Sequence, residues 1–148
     1  MGHVNSTSNK ARELPKGAYI EVGSTGDLGI TGGSYTVEAW VKFLAYNKDV
    51  VDQLDNTILG SDSQETLHIG LRDGRLHMGH YGDDTISTTR QPLGVWRHYA
   101  FVYDHVTTEQ RIFVNGRRDA VSAGHKPLVG NTPLFIGRHA GTWVLMQV

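Results

Sequence analysis

Trp96-Arg97-His98-Tyr99-Ala100-Phe101-Val102-Tyr103-Asp104, closely followed by Ile112-Phe113-Val114-Asn115-Gly116, is the stretch that decides the fold. An alternating run anchored on Trp96 passes through a short polar excursion into a second run that ends on Asn-Gly. Both residues of that dipeptide tolerate positive φ, as a tight type I′ hairpin turn requires. Arg111–Val114 is therefore expected to pair back onto Arg117–Val121 through Asn115-Gly116.

The same grammar extends outward in both directions. In Tyr35–Phe43, Tyr35, Val37, Ala39, Val41 and Phe43 share one strand face, and Thr36, Glu38, Trp40 and Lys42 share the other. The first set is the expected core face; the second is polar apart from Trp40. Asp73-Gly74 stands between two further alternating runs and predicts a hairpin with Leu71 opposite Leu76, Gly70 opposite His77, Ile69 opposite Met78, His68 opposite Gly79 and Leu67 opposite His80. Ala18–Val22, Thr57–Gly60, Thr85–Thr89 and Leu134–Gly137 read as further strands, and Trp143–Val148 as a last apolar, extended segment. Gly23 to Gly33 carries five glycines and is expected to be a loop; its Gly23-x-x-Gly26-x-x-Gly29 lacks the lysine and the following helix of a phosphate-binding loop. Short strands, frequent turns and little helical periodicity predict an all-β, antiparallel sandwich.

The chain has 148 residues, enough for one domain that buries about 68–70% of its unfolded surface without a staple. It contains no cysteine, which excludes disulfides, thiolate metal sites and a cysteine nucleophile. A formal charge of −1, with no block of like charge, gives no reason to expect a nucleic-acid or membrane partner. Residues 1–12 are expected to form a disordered tail ahead of a single domain over 13–148. The tail has no apolar signal core, and its Asn5-Ser6-Thr7 triplet matches a glycosylation acceptor of the kind polar tails contain by chance. The compartment is left open.

From Tyr19 to Arg138 the ordered motifs resemble the laminin-G-like (concanavalin A-like lectin/glucanase) jelly-roll sandwiches. The points of resemblance are Tyr19-Ile20-Glu21-Val22, Tyr35–Val41, Asp73-Gly74-Arg75-Leu76, Trp96–Asp104, Phe113-Val114-Asn115-Gly116 and Leu134-Phe135-Ile136-Gly137-Arg138. The resemblance implies a two-sheet antiparallel jelly roll used mostly as a binding scaffold, on bacterial surface and carbohydrate-active proteins in particular. Two departures stand out. Ala18 stands where such domains commonly carry Asp, and Gly141–Val148 replaces a Gly-x-Ile-Asp-Glu-Val-Arg ending. The acidic groups missing there often serve calcium or complete the sandwich edge, so a calcium site of the family type is in doubt and a short or divergent final strand is expected. An unpaired apolar edge at the C-terminus would invite pairing with a second chain.

Candidate chemistry lies at a few positions. Trp40, Tyr81, Tyr99 and Tyr103 are candidates for stacking on a sugar ring; the competing reading packs Trp40 and Trp96 in the core. His68 and His77 fall diagonally on the hairpin face opposite the apolar one, with Cα atoms roughly 5.5–8 Å apart. They are expected to be solvated, or to ligate zinc or copper if a third donor exists. His80 is expected as a hydrogen-bonded histidine at the core edge. Asp83 and Asp84, beside Thr85, are weak calcium candidates, with Asp27 and Asp62 too distant to help unless the fold brings them near. Glu21, Glu38 and Glu65 have no acidic neighbour two residues away, so the paired carboxylates of a sandwich glucanase are missing, and no Gly-x-Ser-x-Gly elbow supports a serine hydrolase. The chain therefore reads as a non-catalytic module binding a carbohydrate or protein ligand through Trp40, His68, His77 and Tyr81. The alternative is a self-assembling sandwich that forms a homodimer through its C-terminal edge.

Overall fold

The computed structural model describes residues 11–46, 56–61, 66–80, 82–139, 142–143 and 146–148. Fourteen strands run in chain order: β1 (Glu13–Leu14), β2 (Ile20–Ser24), β3 (Tyr35–Phe43), β4 (Asn56–Ser61), β5 (His68–Arg72), β6 (Arg75–Gly79), β7 (Asp84–Arg90), β8 (Arg97–Asp104), β9 (Glu109–Val114), β10 (Arg117–Ser122), β11 (Pro133–Ile136), β12 (Arg138–His139), β13 (Thr142–Trp143) and β14 (Met146–Gln147). The first sheet has the order β1-β14-β3-β8-β9-β10 and the second β2-β11-β4-β5-β6-β7, while β12 and β13 form a small separate ribbon. All pairings are antiparallel. The described residues contain no helix, and so none long and apolar enough to cross a membrane.

Strand parity builds the core. In β3 and β8 the pairs Tyr35↔Tyr103, Val37↔Phe101 and Ala39↔Tyr99 turn the same face inward. They meet Leu67, Ile69, Leu71, Leu76 and Met78 of the opposite sheet, all of them fully buried. The expected hairpin register holds, with Leu71↔Leu76, Gly70↔His77, Ile69↔Met78 and His68↔Gly79. Both tight turns have the anticipated backbone: φ is 51° at Asp73 and 72° at Gly74, then 48° at Asn115 and 77° at Gly116.

The structure departs from the expectations at the C-terminal edge, at Arg12 and at the start of β2. β14 lies between β1 and β3, so the C-terminal segment expected to leave an open edge is paired on both sides, and a homodimer built on that edge loses its basis. Of the expected tail, residues 1–10 lie outside the described residues, and Arg12 exchanges two backbone hydrogen bonds with Val148 at 2.7 and 2.9 Å. The strand expected over Ala18–Val22 is β2, which starts two residues later than the sequence suggests, at Ile20.

Candidate functional site

The outer face of the first sheet carries an aromatic platform. Even-numbered residues of β3 point away from the core, and the register sets Trp40 beside His98. Trp40 is 59% exposed and Trp96, just before β8, is 37% exposed, so the reading that buried both indoles is overturned, for Trp40 by strand parity. Together with His98, Asn115 and Gly116 they line a cavity of about 420 Å³. The His98 ring meets Trp40 edge-on at 5.5 Å, and its Nε2 lies 3.5 Å from Glu38 Oε2. Lys42 Nζ sits 5.5 Å from the centre of the Trp96 ring. The Asn115 turn is fixed against β8: its N–H donates to the His98 carbonyl at 2.8 Å, and the His98 N–H donates to its Oδ1 at 2.9 Å. Flat apolar rings rimmed by polar groups on a rigid sheet are a surface built for contact. Tyr99 and Tyr103, the other stacking candidates, are fully buried, with their hydroxyls donating to Gln91 Oε1 and to the His125 carbonyl, both at 3.2 Å. Tyr81 lies outside the described residues.

On the second sheet, His68 and His77 do share the face opposite Leu67, Ile69 and Leu71, but they are buried rather than solvated. His139 of β12 covers this face: its Cβ approaches to 2.6 Å of where a side chain on Gly60 would begin, and its ring lies 5.3 Å from that of His68. The third group is Asp84 of β7. Its Oδ1 is 2.8 Å from His68 Nε2, and its Oδ2 is 3.4 Å from His77 Nε2. The sequence singled out Asp84 as a calcium ligand beside Asp83, but Asp84 opens β7 while Asp83 lies just ahead of it. Asp83 turns instead toward His125, and the structure does not bring the two carboxylates together. Burial, with the Arg72 and His68 charges adding to it and Asp84 opposing, pushes His77 down to about 4; burial, with His68 adding, does the same to His139. Burial alone would raise Asp84, but the His68 hydrogen bond and the charges of His68, His77 and Arg72 outweigh it and hold the carboxyl below its usual range. His77 is fully buried, and neither ring nitrogen has a hydrogen-bond partner among the described residues, an arrangement that costs about 1–3 kcal/mol if nothing else satisfies it.

A sequence profile of the Concanavalin A-like lectin/glucanases superfamily, in its laminin-G form, matches residues 14–145. The chain belongs to this family. No curated protein matches it in sequence. Among solved structures, this laminin-G-type sandwich is similar to a candidate carbohydrate-binding protein from Bacteroides ovatus (21% identity, TM-score 0.67, covering 93% of this chain and 40% of that one). It is also similar to the CBM40 module of the Ruminococcus gnavus IT-sialidase bound to α2,3-sialyllactose (14%, 0.66, 94% and 88%). A third is domain 4 of the Geobacillus stearothermophilus arabinanase AbnA in complex with arabinotriose (17%, 0.54, 92% and 63%). The chain thus spans under half the length of the Bacteroides protein. At these identities the shared property is the jelly-roll fold.

The laminin-G-type sandwich also holds a polar clasp that the sequence did not reveal. Asp83 Oδ1 accepts from His125 Nδ1 at 2.6 Å, His125 Nε2 accepts from Ser122 Oγ at 2.6 Å, and the Ser122 and Thr85 hydroxyls bond each other. The order resembles an activated serine, but the amides of Gly124 and His125 next to it are committed to Thr108 Oγ1 and the Thr108 carbonyl, and so cannot serve as oxyanion donors. The array instead ties β7 of one sheet to β10 of the other. His125→Ala is expected to lower unfolding stability by about 1–3 kcal/mol, measured by urea titration; a change below about 0.5 kcal/mol would contradict the clasp.

The two depressed histidines have a pH consequence. Between their ordinary value of 6.5 and their folded values of about 4, the unfolded chain binds protons on His77 and His139 that the folded chain refuses. Stability is therefore fully present above 6.5 and is lost as the pH falls toward 4, by up to about 1.4 kcal/mol per pH unit for each histidine. Urea unfolding in chelator-treated buffer at about pH 7 and about pH 5 measures the slope. His77→Gln is expected to flatten it, and a slope identical in the variant would count against the assignment.

Proposed function

We propose that the chain is a non-catalytic glycan-binding module whose contact surface is the Trp40–Trp96 platform. The observation that carries this reading is the pair of exposed indoles, held on a rigid sheet face and rimmed by Glu38, Lys42, His98 and Asn115. Leaving two indoles in water is unfavourable unless a ligand covers them, and a sugar presents an apolar ring face for stacking with hydroxyls for the polar rim. The fold supports the same reading, since similar sandwiches include modules bound to sialyllactose and arabinotriose. Glu21 and Glu38 stand on different sheets, on β2 and β3, which gives them no role as a hydrolytic pair.

The test is retention of the purified chain on a panel of immobilised glycans at neutral pH. Retention on a subset, competed by the free sugar, is the expected outcome. Silence across neutral, acidic and amino-sugar glycans would overturn the glycan reading and turn attention to a protein ligand for the same platform.

A further inference from the structure

We propose that His68, His77 and Asp84 form a binding site for a zinc-class divalent cation, built across three adjacent strands of the second sheet. This goes beyond glycan recognition and does not depend on it, because the three residues lie on the other sheet from Trp40.

The donors already converge. One ligand atom from each residue can be chosen so that all lie within 4.8 Å of one another. A tetrahedral ion with bonds of about 2.0–2.2 Å spaces its donors roughly 3.4 Å apart. Asp84 now offers a different oxygen to each histidine, Oδ2 at 3.4 Å from His77 Nε2 and Oδ1 at 2.8 Å from His68 Nε2, so a side-chain adjustment would bring one carboxylate oxygen into range of both.

Hydrogen bonding fixes which nitrogen of His68 is offered. Its Nδ1 lies 3.0 Å from the Thr66 carbonyl, which can only accept, so Nδ1 carries the hydrogen and donates. In the neutral ring Nε2 then presents a lone pair, and it faces a carboxylate oxygen that is also an acceptor. Two acceptors at 2.8 Å require a cation between them, a proton or a metal ion. Donating the second ring N–H to a carbonyl is also how metal-binding histidines are oriented. His77 supplies the independent observation: a fully buried imidazole neither of whose nitrogens has a hydrogen bond among the described residues, Nε2 having only the 3.4 Å contact with Asp84 Oδ2. A metal bond would satisfy one of them.

The floor of the site is shaped for the cluster. The register aligns His68, Gly79 and Asp84 in one row across β5, β6 and β7. A Cβ on Gly79 would lie 1.7 Å from Asp84 Oδ1 and 2.6 Å from His68 Nε2, so only glycine leaves room for the two side chains to meet. Two imidazoles and one carboxylate favour zinc and its neighbours over calcium or magnesium, which prefer all-oxygen shells. The Arg72 charge, which His77 feels, opposes a dication and sets an upper limit on affinity.

The test titrates the chelator-stripped full chain with Co(II) and follows its visible absorption, then competes the ion out with Zn(II). The expected result is a saturable tetrahedral-type band at one equivalent, displaced by zinc. Asp84→Asn and His77→Gln should each weaken binding at least about tenfold, and Arg72→Gln should strengthen it. Asp84 is partly exposed at the edge of the cluster, so Asp84→Asn serves as the informative variant should His77→Gln fail to fold. No tetrahedral band, or binding that persists unchanged in Asp84→Asn, would overturn the proposal.

Discussion

Gly70→Ala should destabilise the protein by about 3 kcal/mol or more, lowering the melting temperature by roughly 6–12 °C. The reason is backbone rather than side chain. A Cβ at Gly70 would sit 2.0 Å from the Asn56 carbonyl oxygen and 3.0 Å from both the Asn56 carbonyl carbon and Thr57 Cα. Asn56 cannot retreat, since it is fully buried and its Nδ2 donates to the Ala45 carbonyl at 2.7 Å. The ladder is already irregular there, with a register shift between Thr57 and Leu59. Accommodating one methyl group means prising β4 from β5 in the middle of the sheet. Gly33→Ala is the control: its Cβ would meet nothing within 4 Å and its φ is not positive, so the change should be neutral or stabilising by under about 1 kcal/mol. Chemical denaturation of the two variants checks the pair, and equal stabilities would contradict the account of this sheet.

Trp40→Ala should separate binding from stability. The indole is more exposed than buried, so its loss should change unfolding stability by no more than about 0.5 kcal/mol. Aromatic residues at the centre of a contact surface commonly contribute about 2 kcal/mol or more to binding, so affinity for the retained glycan should fall about thirtyfold. Trp40→Phe, which keeps a smaller flat ring, should recover part of that loss. Calorimetric titration of the three proteins with one glycan gives the comparison. A variant that folds, lacks the indole and binds as before would remove Trp40 from the site.

The fold was legible wherever local chemistry determined it. Asp73-Gly74 and Asn115-Gly116 named their turns, and alternation in Tyr35–Phe43 named the core face of β3. The hairpin register followed from the turn alone, and with it the shared face of His68 and His77. Burial of that face was not legible, because the residues that cover it, His139 and its short strand, come 71 positions after His68 with no local signal that brings them there. Asp84 as the third member required the β6–β7 register, which no turn signal fixes and which shifts between Arg75 and His77. The Asp83–His125 bond joins residues 42 apart, with no local mark of it in either segment. Trp40 is the opposite case: its outward direction could be read from parity alone, and the general tendency of tryptophan to be buried was the wrong guide. The paired C-terminal strand shows the limit of reading an edge from sequence, since Met146 finds Leu14 and Phe43 across distances no pattern encodes.

The central claim is that ligand recognition occurs on the Trp40–Trp96 face, and nitrogen-edited NMR tests it most directly. The chain has three tryptophans, Trp40, Trp96 and Trp143, and so three indole N–H signals. On adding a glycan retained by the panel, the signals of Trp40 and Trp96 and the amides of His98 and Asn115 should shift in a saturable way, while those of His68, His77 and Asp84 stay in place. Shifts gathered on β5, β6 and β7 instead, with the two indoles unmoved, would contradict it.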